Sequence, residues 1–306
     1  MANKIFILLG PTGSGKSNLS LKLSKDFPFE IINADLYSIY KGLNIGTAKP
    51  SRQDLKTTKH YLIDTLEPDM QYNVSQFCSD VTQSLNCIIT NQKIPLIVGG
   101  SMMYVYQLLN GLSHEYNLSL SDREVIKFIQ CKYSNSDLYH ALKSDSSIPM
   151  EKININDSYR IEKLLERLIT NSSNRRKHNG FNNDNNIEII LLFINVIDRD
   201  HLKQNILSRT RYMIRSGLIT EVENLKDKYM LTKDNQSMKA IGYKETLDYL
   251  DCRTDIDELI RLISIATQQL AKRQMTWRNK FKIDYFVDYP SYKYNLLYDF
   301  IANSLT

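Results

Sequence analysis

Residues 4–17 read Lys4-Ile5-Phe6-Ile7-Leu8-Leu9-Gly10-Pro11-Thr12-Gly13-Ser14-Gly15-Lys16-Ser17. The stretch Lys4–Leu9 is a nearly continuous apolar run, the pattern of a strand buried on both faces of a parallel sheet. Gly10–Ser17 fits GxxxxGK(S/T), and Lys16–Lys25 reads as a helix. The glycines let the backbone curl so that successive N–H groups point inward at phosphate oxygens. The helix N-terminus adds the positive end of its dipole. Lys16 supplies a point charge, and Ser17 offers a hydroxyl to a Mg²⁺ bridging the phosphates. The complete pattern between a strand and a helix establishes a phosphate-binding loop made of Gly10, Pro11, Thr12, Gly13, Ser14, Gly15, Lys16 and Ser17. It does not say which phosphate compound is bound.

Moving outward, Glu30–Ala34 reads as a second short strand, Val74–Ile89 as a helix and Pro95–Val98 as a third strand. Strand–helix–strand alternation predicts an α/β fold with a parallel sheet. Many nucleotide-hydrolysing relatives of such loops place an Asp at the end of a later apolar strand, where it holds Mg²⁺. Here Val98 is followed by Gly99-Gly100-Ser101, with no carboxylate, so an ATP-hydrolysing motor is disfavoured. A carboxylate does end the second strand, at Asp35. Ligands in open α/β sheets bind outside the carboxyl ends of strands. The phosphate loop, Asp35 and Gly99–Ser101 therefore converge on one crevice. Asp35 there can accept a proton from a nucleophile, or, as the alternative, cap a following helix.

Between residues 113 and 186 the chain turns polar and helical, with Arg123–Tyr133 and Asp157–Thr170 as its clearest helices. Asn171–Asn186 reads as a loop. Ile187–Ile197 then returns as a strongly β-branched strand. The expected organisation is a phosphate-loop α/β core over 1–112, an all-helical insertion over 113–186, and a core continuation with a mostly helical C-terminal part over 187–306.

Of the 306 residues, 42% are hydrophobic and 24% charged, which suits a folded chain with a core. The net charge of +5 permits an anionic partner. It is spread almost evenly over the three segments, so any nucleic-acid site must come from local placement. No apolar run approaches the roughly 20 residues that cross a bilayer, and no membrane association is expected. Met1–Lys4 leads straight into the first strand with no leader-like pattern. The four cysteines (Cys78, Cys87, Cys131, Cys252) lack zinc spacing. Free thiols in a reducing cytoplasm are expected.

Several further motifs occur in order. Asp35 and Tyr40 precede Gly46-Thr47-Ala48-Lys49-Pro50. His60-Tyr61-Leu62-Ile63-Asp64, then Tyr72-Asn73-Val74 with Phe77, lead to Val98-Gly99-Gly100-Ser101 with Tyr104. Asn156-Asp157 with Arg160 follows. The C-terminal part holds Arg209, Met213, Gly217-Leu218-Ile219 and Glu221-Val222, then Ile241-Gly242-Tyr243-Lys244-Glu245 and Ala271-Lys272-Arg273-Gln274-Met275-Thr276-Trp277. Together, from about residue 8 to residue 278, these resemble the tRNA dimethylallyltransferases, also called tRNA isopentenyltransferases.

The resemblance implies transfer of a dimethylallyl group from dimethylallyl diphosphate to N6 of the adenosine 3′ to the anticodon, with the diphosphate leaving intact from the loop. It implies Asp35 as general base and Ser101 as a hydroxyl contacting diphosphate or aligning the reacting groups. Lys16, Arg209 and Mg²⁺ would stabilise the leaving charge. The anticodon loop of tRNA would be gripped by Asp35, Leu36, Tyr37, Ser38, Ser101, Gly242, Tyr243, Lys244, Lys272 and Arg273. On the insertion the candidates are Arg123, Tyr159, Arg160 and Lys163. A monomer is expected.

The helix around Arg273 adds a separate argument. Between Gln268 and Ile283 five basic residues occur and no acid. Upstream, Leu259, Leu262, Ile263, Ala266 and Leu270 form an apolar stripe, and its continuation reaches Arg273 and Trp277. A buried Arg needs an anionic partner, either a carboxylate within the domain or a diphosphate or RNA phosphate. Trp277 is read as core.

The chain departs from the family's pattern in places. Leu36 replaces a usual serine, and Ser101 a threonine. Asn154-Ile155 replace His-Pro, and Lys163 and Asn205 replace arginines. There is no C-terminal Cys/His cluster, so no zinc is expected. A small-molecule kinase using ATP shares the loop and Asp35 but leaves the insertion and the Lys272–Trp277 region unexplained. A non-catalytic RNA-binding protein would need no base at Asp35.

Overall fold

The computed structural model describes residues 3–116, 119–144, 150, 153–169, 175–178, 180–183, 186–253 and 255–305. The chain divides into two compact units, Met1–Asn110 with Gly180–Thr306, and Gly111–Asn179.

The larger unit is built on a six-stranded sheet. Its strands are β1 (Asn3–Leu9), β2 (Phe29–Asn33), β3 (His60–Tyr61), β4 (Ile94–Gly99), β7 (Ile187–Val196) and β8 (Tyr285–Tyr289). They run in the order β3-β2-β4-β1-β7-β8, and every pairing is parallel. Ile5 to Leu9 are fully buried because β1 has a neighbour on each edge and apolar layers on both faces. Phe6 and Leu8 share one face with Leu96, Val98, Leu192 and Ile194. That face is covered by Leu19 and Leu23 of α1 (Lys16–Asp26) and by Leu297 and Ile301 near the C-terminus. The same unit holds α2 (Arg52–Thr57), α3 (Val74–Thr90) and α4 (Met102–Asn110). After β1 the chain runs to β2 on one side. After β4 it returns to the sheet at β7, on the other side. The sheet therefore has its switch point between β4 and β1, where open α/β sheets hold their ligands.

The smaller unit contains β5 (Leu112–Tyr116), α5 (Leu120–Lys132), α6 (Asn135–Lys143), α7 (Ser158–Ile169) and β6 (Arg175–His178). Leu138, Leu142, Met150, Ile161 and Leu165 form its core. Ser119 and Ser134 open α5 and α6 with capping boxes closed by Asp122 and Asp137. The all-helical expectation is corrected at the ends of this unit, where β5 and β6 pair antiparallel. Arg175–His178 shows no apolar alternation. Only its non-local partner makes it a strand, which is why the sequence reads there as part of the Asn171–Asn186 loop. That reading is corrected again by a 3₁₀ turn over Phe181–Asn183.

The C-terminal part comprises α8 (Arg199–Arg215), α9 (Leu218–Tyr229), α10 (Tyr243–Leu250), α11 (Ile256–Trp277) and α12 (Tyr294–Leu305). It also supplies β8, whose Tyr285–Tyr289 run lengthens the sheet beyond what the sequence suggested. Among the described residues no helix is long and apolar enough to cross a membrane. None of the four cysteines is joined in a disulfide.

Candidate active site

A cleft of about 1390 Å³ opens at the carboxyl ends of β1, β2 and β4, lined among others by Thr12, Lys16, Ser17, Asp35, Arg209 and Gln274. The phosphate loop forms one wall. Gly13 and Gly15 take φ values of +80° and +81°, a left-handed conformation that side chains disfavour. The loop thereby turns its backbone into the start of α1. Gly15 caps that helix with no side chain on its first-turn N–H groups, the arrangement that suits an anion. Ser14 Oγ donates to the Pro11 carbonyl at 2.7 Å and Lys16 Nζ donates to the same oxygen at 2.8 Å.

Arg209, on α8, reaches the loop from the other side of the sheet switch point. Its Nη1 donates to Thr12 Oγ1 at 3.4 Å. Three charges interact here. Burial pushes the Lys16 ammonium down from 10.5 to about 8, the Asp35 charge opposes that fall, and Arg209 adds to it. Burial also lowers Arg209, again opposed by Asp35.

Asp35 is held by its backbone. Its N–H donates to Asn33 Oδ1 at 3.3 Å, while Asn33 Nδ2 donates to the Asp35 and Leu62 carbonyls. Leu36 N–H donates to Ser101 Oγ at 3.0 Å, and Tyr37 N–H to Asp35 Oδ1 at 3.1 Å. Each N–H of the Asp35–Tyr37 turn is thus paired. No helix follows at once, so Asp35 closes a turn rather than capping a helix. Among the described residues, nothing donates a hydrogen bond to its Oδ2. Burial and the Asp35 charge push the Tyr37 phenol up.

The sequence candidates separate as follows. Lys16, Ser17, Asp35, Ser38 and Arg209 meet in the cleft. Ser101 and Leu36 instead line a small pocket behind Asp35, among Ile39, Leu62, Phe77 and Tyr104, and the Ser101 hydroxyl supports the Asp35 turn. Tyr243 is corrected as an RNA contact. It is fully buried, and its hydroxyl donates to Glu221 Oε1 at 2.6 Å. Gly242 is buried beside it at the start of α10, and Lys244 is exposed. Glu221 also accepts the N–H groups of Asn44 at 3.2 Å and Ile45 at 3.0 Å. The Tyr243 motif therefore anchors the Gly46–Pro50 loop, part of which lines the cleft.

Arg273 is corrected as a buried residue. The buried face of α11 runs through Leu259, Ile263, Ala271 and Gln274. At about 100° per residue, Arg273 is turned off that face into solvent, where Lys272 is exposed too. Trp277 is half-buried in a cluster with Tyr106 and Phe281, ring centroids 5.8 and 6.5 Å away, under Lys280. On the smaller unit Arg123 is exposed, Arg160 pairs with Asp157 at 3.4 Å and Lys163 with Glu166 at 2.6 Å. The Tyr159 side chain lies outside the described residues.

Gln274, Glu221 and Asn33 were not singled out from the sequence for these contacts. For Gln274 a signal existed: a polar residue falls where α11 needs an apolar one. For Glu221 and Asn33 none did, because their partners lie far along the chain.

Among the described residues no three Asp, Glu, His or Cys side chains gather to hold a metal. The Ser17 hydroxyl, in the first turn of α1, lines the cleft. A single hydroxyl there suits Mg²⁺, which takes few protein oxygens and completes its shell with phosphate and water.

The IPP transferase family model matches residues 38–281. The tRNA dimethylallyltransferase of Neisseria meningitidis serogroup C is 36% identical over 288 residues, covering 93% of this chain and 92% of that protein. That of Francisella tularensis subsp. novicida is 36% identical over 283 residues, 90% of this chain and 91% of the relative. The crystal structure of a full-length tRNA isopentenylpyrophosphate transferase from Bacillus halodurans superposes with a TM-score of 0.71 at 27% identity, over 99% of this chain and 97% of that one.

Proposed function

Because the chain belongs to the IPP transferase family, we propose that it modifies tRNA by transferring a dimethylallyl group from dimethylallyl diphosphate to N6 of the adenosine 3′ to the anticodon. The observation that carries this reading is the meeting of the phosphate loop, Arg209 and Asp35 in one cleft.

The diphosphate lies against the loop N–H groups and the start of α1, with the Lys16 and Arg209 cations on its oxygens. The adenine amine attacks the allylic carbon, the carbon–oxygen bond breaks, and the electron pair leaves on the diphosphate. The amine proton passes to Asp35 Oδ2. Lys16 and Arg209 act where the leaving charge develops, and donors so placed contribute about 3–4 kcal/mol each. Ser17 would hold Mg²⁺, which supplies further charge neutralisation on the diphosphate. The adenosine must be unstacked to reach the cleft, as bases of anticodon loops can be. The exposed Lys272, Arg273 and Lys244 are the cations proposed to meet RNA phosphates, with Arg123, Arg160 and Lys163 on the smaller unit.

Purified protein is incubated with Mg²⁺, labelled dimethylallyl diphosphate and unmodified tRNA carrying an A-A-A target run. Label moves to tRNA. Asp35→Ala lowers the rate about 10²–10⁴-fold and leaves tRNA binding intact. ATP turnover on a small acceptor, with no label on tRNA, overturns the reading.

A further inference from the structure

We propose that Gln274 is a positioning residue, whose carboxamide ties the phosphate loop to the strand end that supports Asp35 and so sets how far apart the two reacting partners are held. The role rests on the transfer reading above. Gln274 projects from α11 and is 5% exposed. Its Oε1 accepts the Thr12 N–H at 2.7 Å, and its Nε2 donates to the Gly100 carbonyl at 2.9 Å. One end of the site offers a donor and the other an acceptor. A carboxamide answers both at once, and the two partners fix which way round it sits. A Cβ on residue 100 would lie 2.4 Å from Gln274 Nε2, so the backbone there is drawn directly onto the amide.

The connection continues on both sides. Thr12 is gripped from its hydroxyl by Arg209. Next to Gly100, Ser101 N–H donates to the Ala34 carbonyl at 3.1 Å and Ser101 Oγ accepts the Leu36 N–H. The residues on either side of Asp35 are therefore fastened to Gly100–Ser101. That pair is fastened through one side chain to the loop that receives the leaving group. Misplacement by about 1 Å between reacting groups costs on the order of 10²-fold in rate, so a side chain that fixes this separation acts on the chemical step.

The test uses the full chain with Gln274→Met, which keeps the length and removes both hydrogen bonds. Exchange of the Thr12 amide, read by NMR, is expected to speed up about tenfold or more while Ile7 and Leu8 stay protected. Single-turnover transfer is expected to slow about 30–100-fold, with KM for tRNA and for dimethylallyl diphosphate within about threefold. Gln274→Glu is the second variant. Ionised, it sets a carboxylate against the Gly100 carbonyl; protonated, it restores the donor. Its rate relative to the wild type is expected to rise as the pH falls. A wild-type chain that transfers nothing overturns the transfer reading and this role with it. A Gln274→Met chain as fast as the wild type, or altered only in KM, overturns the role alone. If Gln274→Met does not fold, a pH-independent ratio for Gln274→Glu does the same.

Discussion

Lys16 gives the sharpest prediction, because its charge is only half secured before a ligand arrives. Burial and Arg209 lower its pKa to about 8, and Asp35 keeps it from falling further. A diphosphate placed against the loop is an opposite charge at close range, which returns the group toward its ordinary range. Binding must then draw a proton from solution. With a free-protein pKa of about 8, the uptake is about half a proton at pH 8 and about 0.9 at pH 9. With excess Mg²⁺ present, the metal keeps the diphosphate fully ionised above about pH 8, so the ligand adds nothing. By the same linkage, apparent affinity at about pH 9 is roughly tenfold weaker than at about pH 7.

The assay is titration calorimetry with inorganic diphosphate in excess Mg²⁺, in buffers of equal pH and different ionisation enthalpy, where the slope counts protons. Lys16→Arg keeps a cation that does not titrate in this range and is expected to remove the uptake. Asp35→Asn takes away the charge that holds Lys16 up, so uptake at pH 8 rises above one half. Arg209→Gln moves it the other way. A wild-type chain that binds without uptake at pH 9, or a Lys16→Arg chain that takes up as much, refutes the three-charge account.

Three further outcomes follow from the geometry. Ser101→Ala leaves the part-buried Leu36 N–H without its acceptor, a loss of about 1 kcal/mol; transfer rate measured beside Tm is expected to fall about tenfold. Gly99→Ala puts a Cβ 2.1 Å from the Ala34 carbonyl oxygen, backbone against backbone, so the β2–β4 register fails and the chain is recovered as aggregate by gel filtration. Glu221→Ala frees the N–H groups of Asn44 and Ile45 and strands the buried Tyr243 hydroxyl; faster amide exchange at residues 44 and 45 and a stability loss of about 2–4 kcal/mol in urea are expected.

The sheet was legible because its information is local and dense. The five apolar residues before Gly10 and the β-branched run from Ile187 can only be buried strands, and the observed β1 and β7 differ from the reading by a residue or two. Elements decided by a distant partner were not legible. Arg175–His178 is a strand only because β5 lies beside it, and Tyr285–Tyr289 only because β7 does. The site divides on the same line. Asp35 stands just past the end of β2, and Lys16 and Ser17 open α1 within a complete loop motif, so all three were visible locally. Tyr243 reads from its motif as an RNA contact, yet its hydroxyl is taken by Glu221, 22 residues earlier. Arg273 was misplaced by extending an apolar stripe in whole steps of three and four, when the true buried face passed one residue further on, to Gln274.

That one-residue difference bears on why this loop holds an intact diphosphate in the proposed reaction. Loops that hydrolyse nucleotides want a carboxylate at the end of a neighbouring strand, to hold the metal on the phosphates. Here the neighbour is β4, and its end is closed to side chains. A Cβ at Gly99 would strike the Ala34 backbone, and one at Gly100 would strike Gln274. The space for a metal-holding Asp is filled by the backbone before Asp35 and by the amide that reaches the loop. The site's carboxylate enters one strand further out, from β2, across the cleft from Ser17. From that position it is suited to a second substrate, whose proton it can take, rather than to the metal on the first. Lys16, Arg209 and the α1 N-terminus remain for the phosphate side. A carboxylate on β2 and cations at β1 and α8 separate base from leaving group by the width of β4, and this division is what a transfer between two bound substrates requires.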